Sequence, residues 1–279
     1  MHTVAVPPRS APARPAETGP VPAPLAELAA AVRPQDTLLL LGDGPDGARL
    51  LLLGTGPSAT GAAASVAALG SGTYALAPGR TATVRFCGHA ELASAAARTA
   101  HCAEALVEPA VRANAPSLDE ATRHLLHRVR TGRVLANESI AQHWRETLRT
   151  DRLADFLLAE HLGRHRELRR AAAARLADGE PRRAQWTLRE SLTELLGALL
   201  AALGETDPDR TGWLPLLDLH AGSLGPRTAR DLADALLHWH DGATAEGHVR
   251  AALAVADSVR ETVLERAAHL PLLRTAHRP

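Results

Sequence analysis

The sequence predicts an α+β protein, with a small mixed β-sheet followed by an α-helical bundle. Three observations predict it. Two leucine-rich runs of strand length, 38–41 and 50–53, flank the turn-forming string "GDGPDG". Two further segments, "TYALAP" and "TATVRFCG", alternate in the strand manner around "PGR". From residue 89 onward the strand pattern ends and apolar residues recur three or four apart, as on one face of a helix.

The elements follow in order. Residues 1–24 are rich in Pro and Ala, without the continuous apolar stretch of a signal peptide, and read as a disordered leader. "LAELAAAVR" (25–33) reads as a short helix ended by Pro34. Strands are predicted over 37–41 and 48–53. Residues 54–72, rich in Gly, Ala and Ser, fit either a crossover or a helix of small residues. About four strands are expected in the first third. "HAELASAAARTAHCAEALVEPAV" is helical in propensity and is broken at Asn114-Ala115-Pro116. A helix restarts at Ser117, read as N-cap of a capping box with Glu120, and Gly132 suits its C-cap. Long helices are expected over 151–177 and 181–203. The second carries an apolar stripe of Trp186, Leu188, Leu192, Leu195, Leu196, Leu199 and Leu203, with Pro181 at its start and Gly204 at its end. Helices over 226–239 and 243–269 complete a bundle. The domains are thus a leader (1–24), a sheet domain (25–113) and a helical domain (114–279).

Composition narrows the function. The 279 residues include 31 basic and 31 acidic ones, so there is no electrostatic footprint for nucleic acid. No apolar run reaches the eighteen or so residues that span a bilayer, and a cytoplasmic location is expected, with no membrane partner. Every basic residue is arginine. Without lysine there is no Schiff base, no lysine-bound pyridoxal phosphate and no P-loop lysine. Heavy use of Ala, Arg, Leu and Gly suits a GC-rich bacterial genome. Two cysteines, Cys87 and Cys102, do not make a disulfide framework.

Residues 117–219 carry a resemblance. The helix ending in "TGRVL" (Leu126, His127, Arg128, Thr131, Gly132, Arg133) and the helix leading to "LGETDPDRTGW" (Gly204, Glu205, Thr206, Asp207, Pro208, Trp213) resemble the helical half of bacterial nucleotidyltransferases of the aminoglycoside-adenylyltransferase type. The resemblance implies a mixed sheet first and a bundle second, the order found here. It also implies a Gly-Ser turn after the first strand, two acids alternating along the next strand and a third acid on a later one. Acids two apart on a strand point to one face and can share divalent ions that bridge nucleotide phosphates. Placed on this sequence, the Gly-Ser pair becomes Gly42-Asp43, and "ARLLLLGTG" has no acid. Asp46 has Ala48 two residues on, and the positions for the third acid hold Thr81, Thr83 and Arg85. The motif (Gly42, Asp43, Asp46) therefore reads as degenerate, a tight hairpin in which Asp43 and Asp46 cap the turn.

Cys87, His89, His101 and Cys102 have zinc-ligand chemistry. However, adjacent helical residues point about 100° apart, which favours a buried Cys102 and a surface His101 over a shared ion. His161 and His165 lie four apart among Arg164, Arg166, Arg169 and Arg170. That helix reads as a solvated basic face, with anion binding as a second reading. "HWHD" (238–241) ends a helix where the dipole favours His⁺. By the resemblance, Trp186, Arg189, Glu190 and Glu194 line a cleft between sheet and bundle, with His127 as a further candidate. Glu190 and Glu194 are four apart and so share a face.

Three functions stay open at this point. In the first, the chain is a binding or accessory protein on a degenerate nucleotidyltransferase fold in a bacterial biosynthetic pathway, taking a small molecule or peptide and needing no cofactor and no metal. In the second it is a repurposed metal-independent enzyme using His and Glu as acid and base. In the third it is a still-active Mg²⁺-dependent nucleotidyltransferase. The catalytic residues are unknown, and the helix over 243–269 offers a face for a homodimer.

Overall fold

The computed structural model describes residues 22–44, 47–54, 72–77, 80–107, 117–238 and 245–270. The leader up to residue 21, the segment 55–71, Asp46, Pro78, Gly79, residues 108–116 and "WHD" (239–241) lie outside them. The protein is α+β, as expected.

Five strands form one mixed sheet: β1 (Thr37–Gly44), β2 (Gly47–Gly54), β3 (Gly72–Ala77), β4 (Arg80–Gly88) and β5 (Arg133–Ala136), in the order β3-β4-β2-β1-β5. β2 and β4 run parallel and the other neighbours antiparallel. The alternation of side chains gives each face its character. One face carries Leu38, Leu40, Ala48, Leu50, Leu52, Ala82 and Val84. These pack with Leu25 and Leu28, on or near helix α1 (Ala23–Ala30), into a hydrophobic cluster. The opposite face buries Leu39, Leu51, Leu53 and Cys87 completely. The leucine runs are nearly continuous because both faces of β1 and β2 are covered along most of their length.

Helices α2 (His89–Ala105), α3 (Glu120–Thr131) and α4 (Glu138–Thr147) follow. The cap of α3 is not the predicted Ser117 but Asp119, whose Oδ1 accepts from the Thr122 N–H at 2.7 Å. Gly132 does end α3, though by close approach rather than by a left-handed backbone. A Cβ there would stand 2.7 Å from the Arg128 carbonyl oxygen and 3.0 Å from the Leu39 Cβ. Arg145 on α4 closes the end of α3, donating to the carbonyls of Val129 (3.1 Å) and Gly132 (2.8 Å).

The remaining helices are α5 (Leu153–Ala177), α6 (Pro181–Ala202), α7 (Trp213–Leu224), α8 (Pro226–Leu237) and α9 (Ala245–Arg266). Gly204, at φ +91°, ends α6 in a Schellman pair, with Glu205 N–H bonded to the Leu200 carbonyl and Gly204 N–H to that of Ala201. No helix among the described residues is long and apolar enough to cross a membrane.

The chain forms two compact units. One holds the sheet, most of α2 and Leu118–Asp151; the other holds the helices from Arg152 onward. The sequence reading drew its division at 113/114. Contacts draw it at Asp151/Arg152, because β5 pairs with β1 and ties α3 and α4 to the sheet.

Candidate functional site

In the sheet unit, β2 and β4 lie side by side where the resemblance would put carboxylates. Their register pairs Arg49 with Thr83 and Leu51 with Arg85, so Arg49, Leu51, Thr83 and Arg85 share one face. The other face of this strand pair carries Ala48, Leu50, Leu52, Ala82 and Val84. Neither strand contributes an acid to either face. The charge present is positive. Arg49 folds over β1, where the missing side chain of Gly42 leaves it room: a Cβ on Gly42 would stand 3.2 Å from an Arg49 terminal nitrogen. Arg128 reaches the same neighbourhood from the last turn of α3. Burial holds its guanidinium below its ordinary pKa, and the charges of Arg85 and Arg49 push it further down.

The acids nearby are committed elsewhere. Asp43, the candidate in the hairpin, is ion-paired and hydrogen-bonded to Arg80. It joins β1 to the start of β4; the Pro45-Asp46 turn it was expected to cap lies outside the described residues. Glu91 on α2 takes the Arg85 guanidinium at 2.9 Å. Cys87 is buried, and its thiol is pushed up to about 12, first by burial and then by the charge of Glu91, so it is not a thiolate near neutrality. His89 is exposed, and Cys102 and His101 are both half-buried. Among the described residues, no group of three or more His, Cys, Asp and Glu side chains is placed to hold a metal ion. A guanidinium-lined face also repels a divalent cation, so the residues of this face do not fit a pair of Mg²⁺ ions.

The helical unit holds a second polar constellation, inside its core. His161 and His165 do not lie on a solvated basic face, as their arginine neighbours suggest; both are buried, at 4% and 0% exposure. They lie on the side of α5 that carries Leu157, Leu158 and Leu162, and α6 supplies polar partners for each. His161 Nδ1 lies 2.6 Å from Glu194 Oε2, and Arg210 donates to Glu194 Oε1 at 2.8 Å. The Trp213 ring stands edge-on to His161 with centroids 5.4 Å apart, under the Arg210 guanidinium at 5.5 Å. Its indole N–H donates to the Asp207 carbonyl at 3.0 Å. The string "DPDRTGW" thus brings Arg210 to Glu194 and Trp213 to His161. Burial raises the Glu194 pKa; the hydrogen bond and charge of His161 and the charges of Arg210 and Arg164 outweigh it, and the carboxyl sits below its ordinary value. His165 Nδ1 is 3.0 Å from the Ser191 carbonyl oxygen, which can only accept, so Nδ1 carries the proton. Its Nε2 is buried without a hydrogen-bond partner among the described residues.

The predicted cleft residues separate. Trp186 is 70% exposed, and Arg189 and Glu190 are exposed beside it on α6, whereas Glu194 is 5% exposed. Glu190 and Glu194 therefore do not form a paired-carboxylate face: they lie on one side of α6, but the helix is partly exposed up to Glu190 and buried almost all round from Ser191 onward. His127 is half-buried on α3, in the other unit. The sequence reading missed Ser191 paired with His165, Arg210 on Glu194, and the arginine cluster. The first had a signal: Ser191 and Glu194 interrupt the apolar stripe of α6 on its buried arc. The arginine cluster had none, because positions 49, 85 and 128 have no common spacing.

No protein-family model matches the chain, and no curated protein matches it. Among solved structures, the chain is similar to a crystal structure described as a nucleotidyltransferase-like protein from Exiguobacterium sibiricum. The sequences are 14% identical over 88% of this chain and 75% of that one, with a TM-score of 0.45.

Proposed function

We propose that this chain is a binding or accessory protein on a nucleotidyltransferase-like sheet domain that does not perform two-metal nucleotidyl transfer, serving a bacterial biosynthetic pathway. The resemblance over residues 117–219 supports the fold assignment. One observation carries the functional reading: the adjacent parallel strands β2 and β4 present no carboxylate on either face and present Arg49 and Arg85 instead. Two-metal chemistry needs hard anionic oxygens where developing charge is neutralised, and guanidiniums there oppose metal binding.

The Glu194–His161 pair is the observation that favours a metal-independent acid–base enzyme. It serves a structural role better. Both oxygens of the carboxylate are engaged, its pKa is lowered rather than raised toward neutrality, and both side chains are buried. The test is a calorimetric titration of the full chain with ATP, with Mg²⁺ and with EDTA. The expected result is no gain in affinity from Mg²⁺ and no nucleotidylated or pyrophosphate product. Tight binding that requires Mg²⁺ would overturn the reading in favour of an active nucleotidyltransferase.

A further inference from the structure

The positive face of the sheet unit has features that an ordinary solvated surface lacks. Arg49 and Arg85 come from adjacent strands as diagonal neighbours on one face. Arg85 lies two residues along β4 from Thr83, the partner of Arg49, so both side chains leave the same face of adjacent strands, within reach of one anion. Arg128 joins them from the C-terminal turn of α3, whose end is fixed on the same face by the close packing of Gly132 against Leu39 and Leu41. Gly42 leaves the space over β1 that Arg49 occupies. Thus four elements, β1, β2, β4 and α3, shape one place.

This arrangement is unfavourable for an empty surface. Partial burial disfavours the charged form of Arg128, and the charges of Arg85 and Arg49 add to this. Relief comes from one acid, Glu91, on Arg85, with each of these side chains a little over 40% exposed. Among the described residues neither Arg49 nor Arg128 has an acidic partner. Three guanidiniums against one carboxylate leave two net positive charges. That matches a dianion with several oxygens arranged for planar N–H forks, as in a phosphomonoester. A nucleic acid is a poorer match, since the chain as a whole has zero formal net charge and so no extended basic footprint.

We propose that Arg49, Arg85 and Arg128 form a metal-independent site for the phosphate dianion of a phosphorylated small molecule. This rests on the reading of the sheet face as a binding surface. The site makes no covalent step; the guanidiniums donate hydrogen bonds to phosphate oxygens and neutralise their charge. Arg49 and Arg128 supply charge that no acid among the described residues neutralises, and Glu91 holds Arg85 in orientation.

The test uses the full-length protein in EDTA, titrated with inorganic phosphate, pyrophosphate and, as a dicarboxylate of equal charge, succinate. Calorimetry and the thermal midpoint are both read. Phosphate and pyrophosphate are expected to bind and to raise the midpoint, weakening as salt increases, with succinate at least tenfold weaker. Arg85→Gln and Arg128→Gln are each expected to weaken pyrophosphate binding at least tenfold. Arg227→Gln, at an exposed position on α8, should leave it unchanged. A second readout guards against a variant that merely misfolds. Without phosphate, Arg128→Gln should melt no lower than the parent chain, because it removes a crowded charge, while losing the phosphate-dependent rise. Absence of phosphate binding by the parent chain, equal binding by succinate, or unchanged binding in both glutamine variants would overturn the proposal. If that happens while ATP still shows no Mg²⁺ dependence, the binding-protein reading stands without this ligand. Mg²⁺-dependent ATP binding removes that reading whatever phosphate does.

Discussion

His165 is fully buried on α5 with its Nδ1 proton directed at the Ser191 carbonyl. Burial pushes its pKa down to about 4; the Ser191 bond opposes this, Arg169 and Arg260 add to it, and Asp257 opposes again. An unfolded histidine titrates near 6.5. Between about pH 4 and 6.5 the unfolded chain therefore binds a proton at this position and the native chain does not. Stability rises with pH across that window, is fully present above about 6.5, and is lost as the pH falls toward 4, by on the order of 3 kcal/mol in total. Two carboxyls held below their ordinary values also stabilise the native state. They are Glu194, where His161, Arg210 and Arg164 outweigh burial, and Asp119, chiefly through the Thr122 N–H. Their contributions fade at lower pH, as the carboxylate range is entered, so the difference between parent and variant over pH 5 to 6.5 is kept apart from them. His165→Asn keeps a donor near the Nδ1 position. It should lower the urea midpoint at pH 7 and flatten its dependence between pH 5 and 6.5. Parallel slopes for variant and parent would show that His165 is not the titrating group.

At the scale of an element, α5 and α6 each contain one glycine whose surroundings give it an opposite meaning. Gly163 on α5 has nothing within 4 Å of where a Cβ would stand. Gly197 on α6 would put a Cβ 2.8 Å from Trp213 Cη2 and 3.1 Å from His161 Cδ2. The indole cannot easily withdraw, since Trp213 is 5% exposed and tied to the Asp207 carbonyl. Alanine gains about 0.8–1 kcal/mol over glycine in a helix interior, and overpacking a buried site costs about 1–3 kcal/mol. Gly163→Ala should therefore raise unfolding stability by up to about 1 kcal/mol, while Gly197→Ala should lower it by up to about 2 kcal/mol, once the overpacking cost is set against that gain. Equilibrium urea unfolding of the pair decides this. If both variants moved in the same direction, the close seat of Trp213 on Gly197 would be refuted.

Across the whole molecule, the sequence made legible what long periodic signals encode. The leucine runs gave β1 and β2, alternation gave β3 and β4, and the apolar stripe gave α6, with Leu188, Leu192, Leu195, Leu196, Leu199 and Leu203 all buried as expected and Trp186 the exception. Short or locally ambiguous elements were not legible. Helix α7 was hidden by Pro215, which falls in its first turn, where backbone N–H groups lack helical partners anyway. The arginine cluster depends on strand register, which no local pattern of the sequence fixes. Strand β5, the four residues after Gly132, carries no strand signal of its own, since "TGRVL" reads as the end of the preceding helix. Its pairing has consequences beyond its length. β1 is an inner strand, bonded to β2 on one side and to β5 on the other. Thr37 Oγ1 donates to the Ala136 carbonyl at 2.6 Å, and Asn137 Nδ2 donates to the carbonyls of Arg33 (2.8 Å) and Asp36 (2.6 Å). A fragment ending at Ala113 would lose these bonds and leave Leu38, Leu39 and Leu40 on an open edge, a template for aggregation. A fragment ending at Asp151 would keep them. In hydrogen exchange, the β1 amides directed at β5 should be protected in the longer fragment and exchange rapidly in the shorter one, which should also be the less soluble. Equal protection of these amides in both would mean that β5 does not complete the sheet and that the division at Asp151 is misplaced.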